Sequence, residues 1–249
     1  MLRFVAILAA TAPSFLSAFM LVECGWFAYE VVQPTPLAVA VWGTAGYATA
    51  LLPVVLALLA LWAPRWLPKA GAVAAAVTLA ANALTFAVPY AWPCGAPTGR
   101  WLPAVCAAVS LVALLLSRPG PPLPKRQAAV WSAVVLLALG TTLARSVAGV
   151  DLICWADLTG DWALAEMRLD IAHAQYYWVG VATIGAVLAG HRAAPFLGLV
   201  LLVPALYMPV AWFLSGAGHG CSSTLALVNW PYLVAGLLAL CSRLPRQAQ

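Results

Sequence analysis

A chain of 249 residues that is 65% apolar and only 8% charged, with a mean hydropathy of +0.97, has too little polar surface for a water-soluble globular domain. It reads as an integral membrane protein. The net charge of +5 follows from membrane orientation, as set out below, and calls for no nucleic-acid partner.

Eight apolar stretches approach the roughly 20 residues that carry a helix across about 30 Å of hydrocarbon. They run over 4–29, 37–62, 70–90, 101–117, 128–148, 171–190, 194–214 and 223–241. Pro34 and Pro36 close the first stretch, Pro64 and Pro68 the second, and Pro93 and Pro97 the third. Pro119, Pro121, Pro122 and Pro124 follow the fourth, at the midpoint where a 4+4 duplication would divide. The halves show no convincing residue match. Helix is required because lipid cannot satisfy free backbone groups, and continuous apolar runs exclude an alternating barrel. The expected fold is an all-α, polytopic membrane helix bundle of about eight transmembrane helices, forming a single integral membrane domain over 1–249.

Charge orients it. With the N-terminus inside, the inner connections hold Arg3, Arg65, Lys69, Arg118, Lys125, Arg126, Arg192, Arg243 and Arg246, and the outer ones Arg100, Arg145 and Arg168. Nine against three is a strong positive-inside pattern, so both termini are expected in the cytoplasm and the chain in a cell inner or plasma membrane. All seven acids fall at or near the outer side. A cleaved signal peptide is disfavoured, because the run from 4 to 29 exceeds a usual apolar core and no small-x-small site precedes polar sequence.

In chain order, the first polar feature is Glu23, seven residues before Glu30 and therefore on the same side of a helix. A carboxylate within a span is a functional candidate by default, and Glu23 is the deeper of the two. The few polar residues in other spans, Asn82, Thr85, Ser110, Thr141, Thr142 and Thr183, suit helix packing better than coupled transport. The longest connection, 149–170, is an outward-facing acidic and aromatic interfacial segment. From Asp151 to Tyr177 the chain carries five of the seven acids together with Trp155 and Trp162.

Within that segment Glu166, Asp170 and His173 fall at i, i+4 and i+7, one helical face that Tyr177 extends. A carboxylate and an imidazole so placed can share a divalent metal, or the carboxylate can orient the imidazole for proton transfer. The plain alternative is a solvated acidic face balanced by Arg168. His219, in the glycine-bearing run GAGHGCSS, is an outer residue that could join them; His191 is assigned to the inner side. The candidate set is thus Glu23, Asp170 and His173 for catalysis, and Glu166, Asp170, His173 and His219 for a metal.

Of six cysteines, Cys24, Cys94, Cys154 and Cys221 lie at or near outer connections, while Cys106 and Cys241 lie within helices. Structural disulfides in an oxidising outer compartment are expected, with Cys94 and Cys221 the first pair to test. No closely spaced pair supports a zinc ribbon or thiol redox centre.

Gly25-Trp26-Phe27-Ala28-Tyr29-Glu30, followed by Gln33-Pro34, resembles a segment of the larger subunit of cytochrome bd quinol oxidases. In that family a GWxxxE run precedes RQPW, and the Glu lies near the haem pair. Here Val32 stands at the Arg position and Thr35 at the Trp position, and about a dozen of 249 residues are covered. Three histidines are too few to supply that family's haem ligands. The chain is similar in size to the seven-helix ceramidase and adiponectin-receptor hydrolases but lacks their paired HxxxH. No family membership follows.

Two functional classes remain. One is a membrane enzyme or metal-dependent component acting outward on an amphipathic substrate. The other is a small-solute or cation carrier, or a non-catalytic subunit of a larger membrane complex. The bilayer is the common partner, with partner subunits in the second class, whose assembly would run through small positions such as Gly180 and Gly185.

Overall fold

The computed structural model describes residues 2–16, 35–88, 99–148, 175–215 and 228–242. They form eight helices and no strand: α1 (Leu2–Leu16), α2 (Pro36–Trp62), α3 (Leu67–Ala87), α4 (Trp101–Leu115), α5 (Lys125–Ala148), α6 (Gln175–Val187), α7 (Ala194–Ser215) and α8 (Trp230–Cys241). The all-helical expectation holds. The number of spans is narrower: within the described residues, α2, α3 and Lys125–Leu143 of α5 are the three helices long and apolar enough to cross a membrane. On that basis the protein is membrane-associated.

Local chemistry explains the helix starts. Thr35 caps α2, its hydroxyl accepting from the Ala38 N–H, and Pro36 opens the first turn, where a missing N–H costs nothing. Pro68 and Pro231 occupy the same early position in α3 and α8. This is why α3 begins at Leu67 and not at 70, and why Lys69 lies inside it. The helix α5 likewise starts at Lys125, directly after the proline run; its first turn is basic because helix formation does not require the residues there to be apolar.

The chain separates into two compact units, Met1–Pro122 and Leu123–Gln249, with the boundary inside the proline-rich connection. In the first unit α1 packs on α2 and α4, and α3 packs on α2 and α4, so four helices close a ring in chain order. The second unit has the same order of neighbours: α5 on α6 and α8, α7 on α6 and α8.

The interiors are built from small side chains. Along α3 the buried positions are Gly71, Ala72, Ala75, Thr78, Asn82 and Thr85, a heptad-like stripe, while Val73, Val77 and Leu84 are exposed. In α4, Ala107, Ser110 and Ala113 are buried, while Val105, Val109 and Val112 face outward. Large apolar groups outside and small ones inside is the pattern for helices surrounded by lipid, where close approach and hydrogen bonds drive association.

Each seam shows the approach directly. A Cβ on Gly71 would meet Leu56 Cδ2 at 2.8 Å and Leu114 Cδ1 at 3.3 Å, so α2 and α4 both lean on α3 there. The α2–α3 seam is antiparallel and hydrogen-bonded: Asn82 Nδ2 donates to Thr49 Oγ1 at 2.9 Å, and Trp42 Nε1 donates to the Val88 carbonyl at 3.4 Å. In the second unit α7 and α8 touch backbone to backbone. A Cβ on Gly198 would lie 2.7 Å from the Gly236 carbonyl oxygen, and one on Gly236 would lie 2.9 Å from that of Gly198. Trp131 of α5, fully buried, covers Gly185 of α6. Gly185 is therefore packed within the chain. Gly190 turns α6 into α7 with φ +88°, a left-handed conformation that glycine alone adopts without strain.

Charge divides by end within each unit. In the first, Arg3 opens α1, Arg65 and Lys69 flank the α2–α3 turn and Arg118 follows α4, all at one end. Arg3 reaches over Gly120 in the chain leaving α4. Exposed Trp62 and Trp66 sit at that end and exposed Trp101 at the other, where Arg100 stacks 4.9 Å from the Phe86 ring. Between these markers the 21 residues of α3 rise about 32 Å, close to the thickness of the hydrocarbon. In the second unit Lys125, Arg126 and Arg192 share one end.

Two outcomes follow. Gly198→Val forces the α7 and α8 backbones apart and is expected to destabilise the protein by about 1–3 kcal/mol in denaturant unfolding from mild detergent, whereas exposed Val203→Ala stays near zero. Asn82→Ala, which removes the α2–α3 hydrogen bond, is expected to cost about 1 kcal/mol in the same assay.

Candidate functional site

The described residues that flank the candidates drawn from the sequence lie at the starts of α6 and α8 in the second unit, away from Arg192. Thr141 and Thr142 reach it near the end of α5, Tyr177 and Trp178 in the first turn of α6, and Asn229 and Tyr232 at the start of α8. The antiparallel course of these helices brings the residues to one level. Trp178 and Tyr232 meet edge to face, with ring centroids 6.4 Å apart and planes at 65°. Thr142 adjoins the Tyr232 hydroxyl. The Asn229 backbone ties α8 to α7, its N–H donating to the Ala205 carbonyl at 3.2 Å.

The threonines here are bonded to their own helices. Thr141 Oγ1 donates to the Leu137 carbonyl at 2.9 Å, Thr142 to that of Ala138 at 3.1 Å and Thr183 to that of Gly180 at 2.8 Å. Such bonds satisfy the hydroxyl within its own helix. Trp178 and Asn229 differ: Trp178 Nε1 and both amide atoms of Asn229 are buried with no hydrogen-bonding partner among the described residues. An unmet buried polar group of this kind costs about 1–3 kcal/mol. Ser110 Oγ in the first unit is a single further case.

Sequence reasoning did not single out Asn229, Tyr232 or Trp178. Asn229 before Trp230-Pro231 reads as an ordinary helix cap, yet its side chain makes no capping bond. Nothing in the local pattern announces that.

The candidates drawn from the sequence lie elsewhere. Glu23 and Glu30, Glu166, Arg168, Asp170, His173 and His219 all fall outside the described residues, as do the remaining acids. Among the described residues there is accordingly no group of three His, Cys, Asp or Glu side chains that could hold a metal. What the structure describes is how their flanks are held. His173 precedes the first residue of α6 by two positions, and His219 lies in the connection that leads into α8. His191 sits on the α6–α7 turn at the opposite end, exposed, with Nδ1 accepting from the Ala193 N–H at 3.1 Å.

Among the described cysteines, Cys106 is a buried free thiol and Cys241 an exposed one, so the expected disulfide is not among them. Cys24, Cys94, Cys154 and Cys221 fall outside the described residues. Comparison with protein-family models, curated proteins and solved structures returns no match for this chain.

Proposed function

We propose that this protein is a multi-span membrane enzyme, or a metal-dependent component, whose site faces away from the cytoplasm and acts on an amphipathic substrate. Glu166, Asp170 and His173 supply the metal or acid–base face, with His219 and Glu23 completing it. All eight helices belong to the membrane-embedded bundle, and both termini are cytoplasmic. The basic ends of the two units are then the inner ends.

The observation that supports this reading best is the Trp178–Tyr232 contact. It joins the first turns of α6 and α8, so the chain that has just passed Asp170 and His173 and the chain arriving from His219 both enter at one end of one bundle. The starts of α6 and α8 are thereby held side by side. A carboxylate and an imidazole from one segment and a second imidazole from another would make a mixed oxygen and nitrogen donor set, suited to a transition metal such as zinc. At headgroup depth such a set meets substrates with one polar and one apolar end.

The metal content of protein purified in mild detergent without chelator tests the site. A near-stoichiometric divalent metal is expected, and the Asp170→Asn, His173→Ala double variant is expected to lose it while unfolding at an unchanged temperature. Metal-free protein in both cases would move the assignment to a carrier or an assembly subunit. Orientation is checked by single cysteines in a background without native ones. A cysteine at Arg65 should react with a membrane-impermeant maleimide only after the cells are opened, and one at Arg100 should react in intact spheroplasts.

A further inference from the structure

At the basic end of the first unit, Arg3 is brought next to the connection that carries Arg118. The Arg3 guanidinium lies where a Cβ on Gly120 would stand, so the missing side chain at Gly120 makes room for it. Arg118 comes two residues before Gly120, between the end of α4 and the proline run. Arg3 is half-buried and Arg118 exposed. No carboxylate of the described residues can answer either cation, because none of those residues is Asp or Glu. All seven acids of the sequence are assigned to the outer side. The α2–α3 turn at the same end adds Arg65 and Lys69, and so more positive charge only. Two guanidinium groups set together in this way call for an anion from outside the described residues. A phosphate matches their planar, forked donors.

What adjoins the pair narrows the anion. Phe4 and Leu8 follow Arg3 along α1, each 37% exposed, and Leu115 and Leu116 precede Arg118, 67% and 66% exposed. Both cations therefore stand at the ends of exposed apolar helix faces. Trp62 and Trp66, also exposed, mark the headgroup level at this end. A ligand that reaches the two guanidinium groups meets apolar side chains immediately beyond them, which suits a phosphate joined to acyl chains better than a free one. We propose that Arg3 and Arg118, set together by Gly120, form a binding site for the phosphate of an anionic phospholipid. A zwitterionic headgroup brings its own cation and is the weaker match. The site is independent of the metal or acid–base face proposed above; only its assignment to the inner leaflet rests on the orientation given there.

The test places the full-length protein in nanodiscs of phosphatidylglycerol and phosphatidylcholine in equal amounts. Retained lipid is read by native mass spectrometry, and folding is checked by thermal unfolding. The intact chain is expected to retain phosphatidylglycerol in clear preference. Arg3→Gln with Arg118→Gln is expected to lower that preference about thirtyfold, the share of two cations at a membrane surface. Gly120→Val is the sharper variant, because it displaces the Arg3 guanidinium and changes no charge. It is expected to lower the preference about fivefold, the share of one cation, at an unchanged unfolding temperature. Lys125→Gln with Arg126→Gln removes the same charge from the second unit and is expected to leave the preference intact. Equal retention of the two lipids by the intact chain overturns the proposal. So does an undiminished preference in Gly120→Val, or an equal loss in the Lys125 and Arg126 variant, since either would trace the effect to net charge alone. Inorganic phosphate, with ionic strength matched by chloride, is expected to displace no lipid; displacement would assign the pair to the free anion and also overturn it.

Discussion

Backbone contact between helices, made possible by glycine and alanine, is the constraint on which this protein depends. Outside water, burying a leucine gains little, since lipid tails are as apolar as the interior. What remains is close packing and the hydrogen bonds that closeness permits. The meeting of Gly198 with the Gly236 carbonyl is the tightest instance, and Gly71 under Leu56 and Leu114 is another. Trp131 over Gly185 applies the same rule with one large partner: the indole fits because the facing residue has no side chain. Other bulky aliphatics, Val73, Val77, Val109 and Val112 among them, stand exposed on the periphery.

That constraint also decides where polar residues can stand. Threonine and serine hydroxyls within the helices return to carbonyls three or four residues back, and so are solvated wherever the helix goes. Asn82 goes further, spending its amide on Thr49 of the neighbouring helix and on the Thr78 carbonyl. Asn229 has the same side chain and no such partner. Asn82 lies inside a seam between two long helices, whereas Asn229 stands just before the first turn of α8, with its backbone N–H bonded to Ala205 in the middle of α7.

The two units share one order of neighbours, each a ring of four helices closed in chain order. Short turns account for this. The chain from Trp62 to Leu67 and the chain from Val187 to Ala194 are too brief to skip a neighbour, so successive helices pair antiparallel. The units differ in their interiors. The α2–α3 seam of the first is threaded with side-chain hydrogen bonds, and the α7–α8 seam of the second closes at Gly198 and Gly236 backbone to backbone.

Much of this was legible in the residues alone. Continuous apolar runs bounded by prolines determined that the chain is helical and roughly where each helix lies, because a membrane leaves the backbone no other way to satisfy itself. Charge asymmetry between connections determined an expected orientation, because cations resist translocation. The helical period could place Glu166, Asp170 and His173 on one face, yet it could not bring His219 toward them, since that depends on which helix starts share an end. Tertiary structure decided that α6 and α8 begin side by side, through Trp178 against Tyr232. It also decided that, among the described residues, the Asn229 amide is buried and unpaired while that of Asn82 is paired. A one-dimensional pattern records what each residue can bond to; only the packed bundle determines whether a partner arrives.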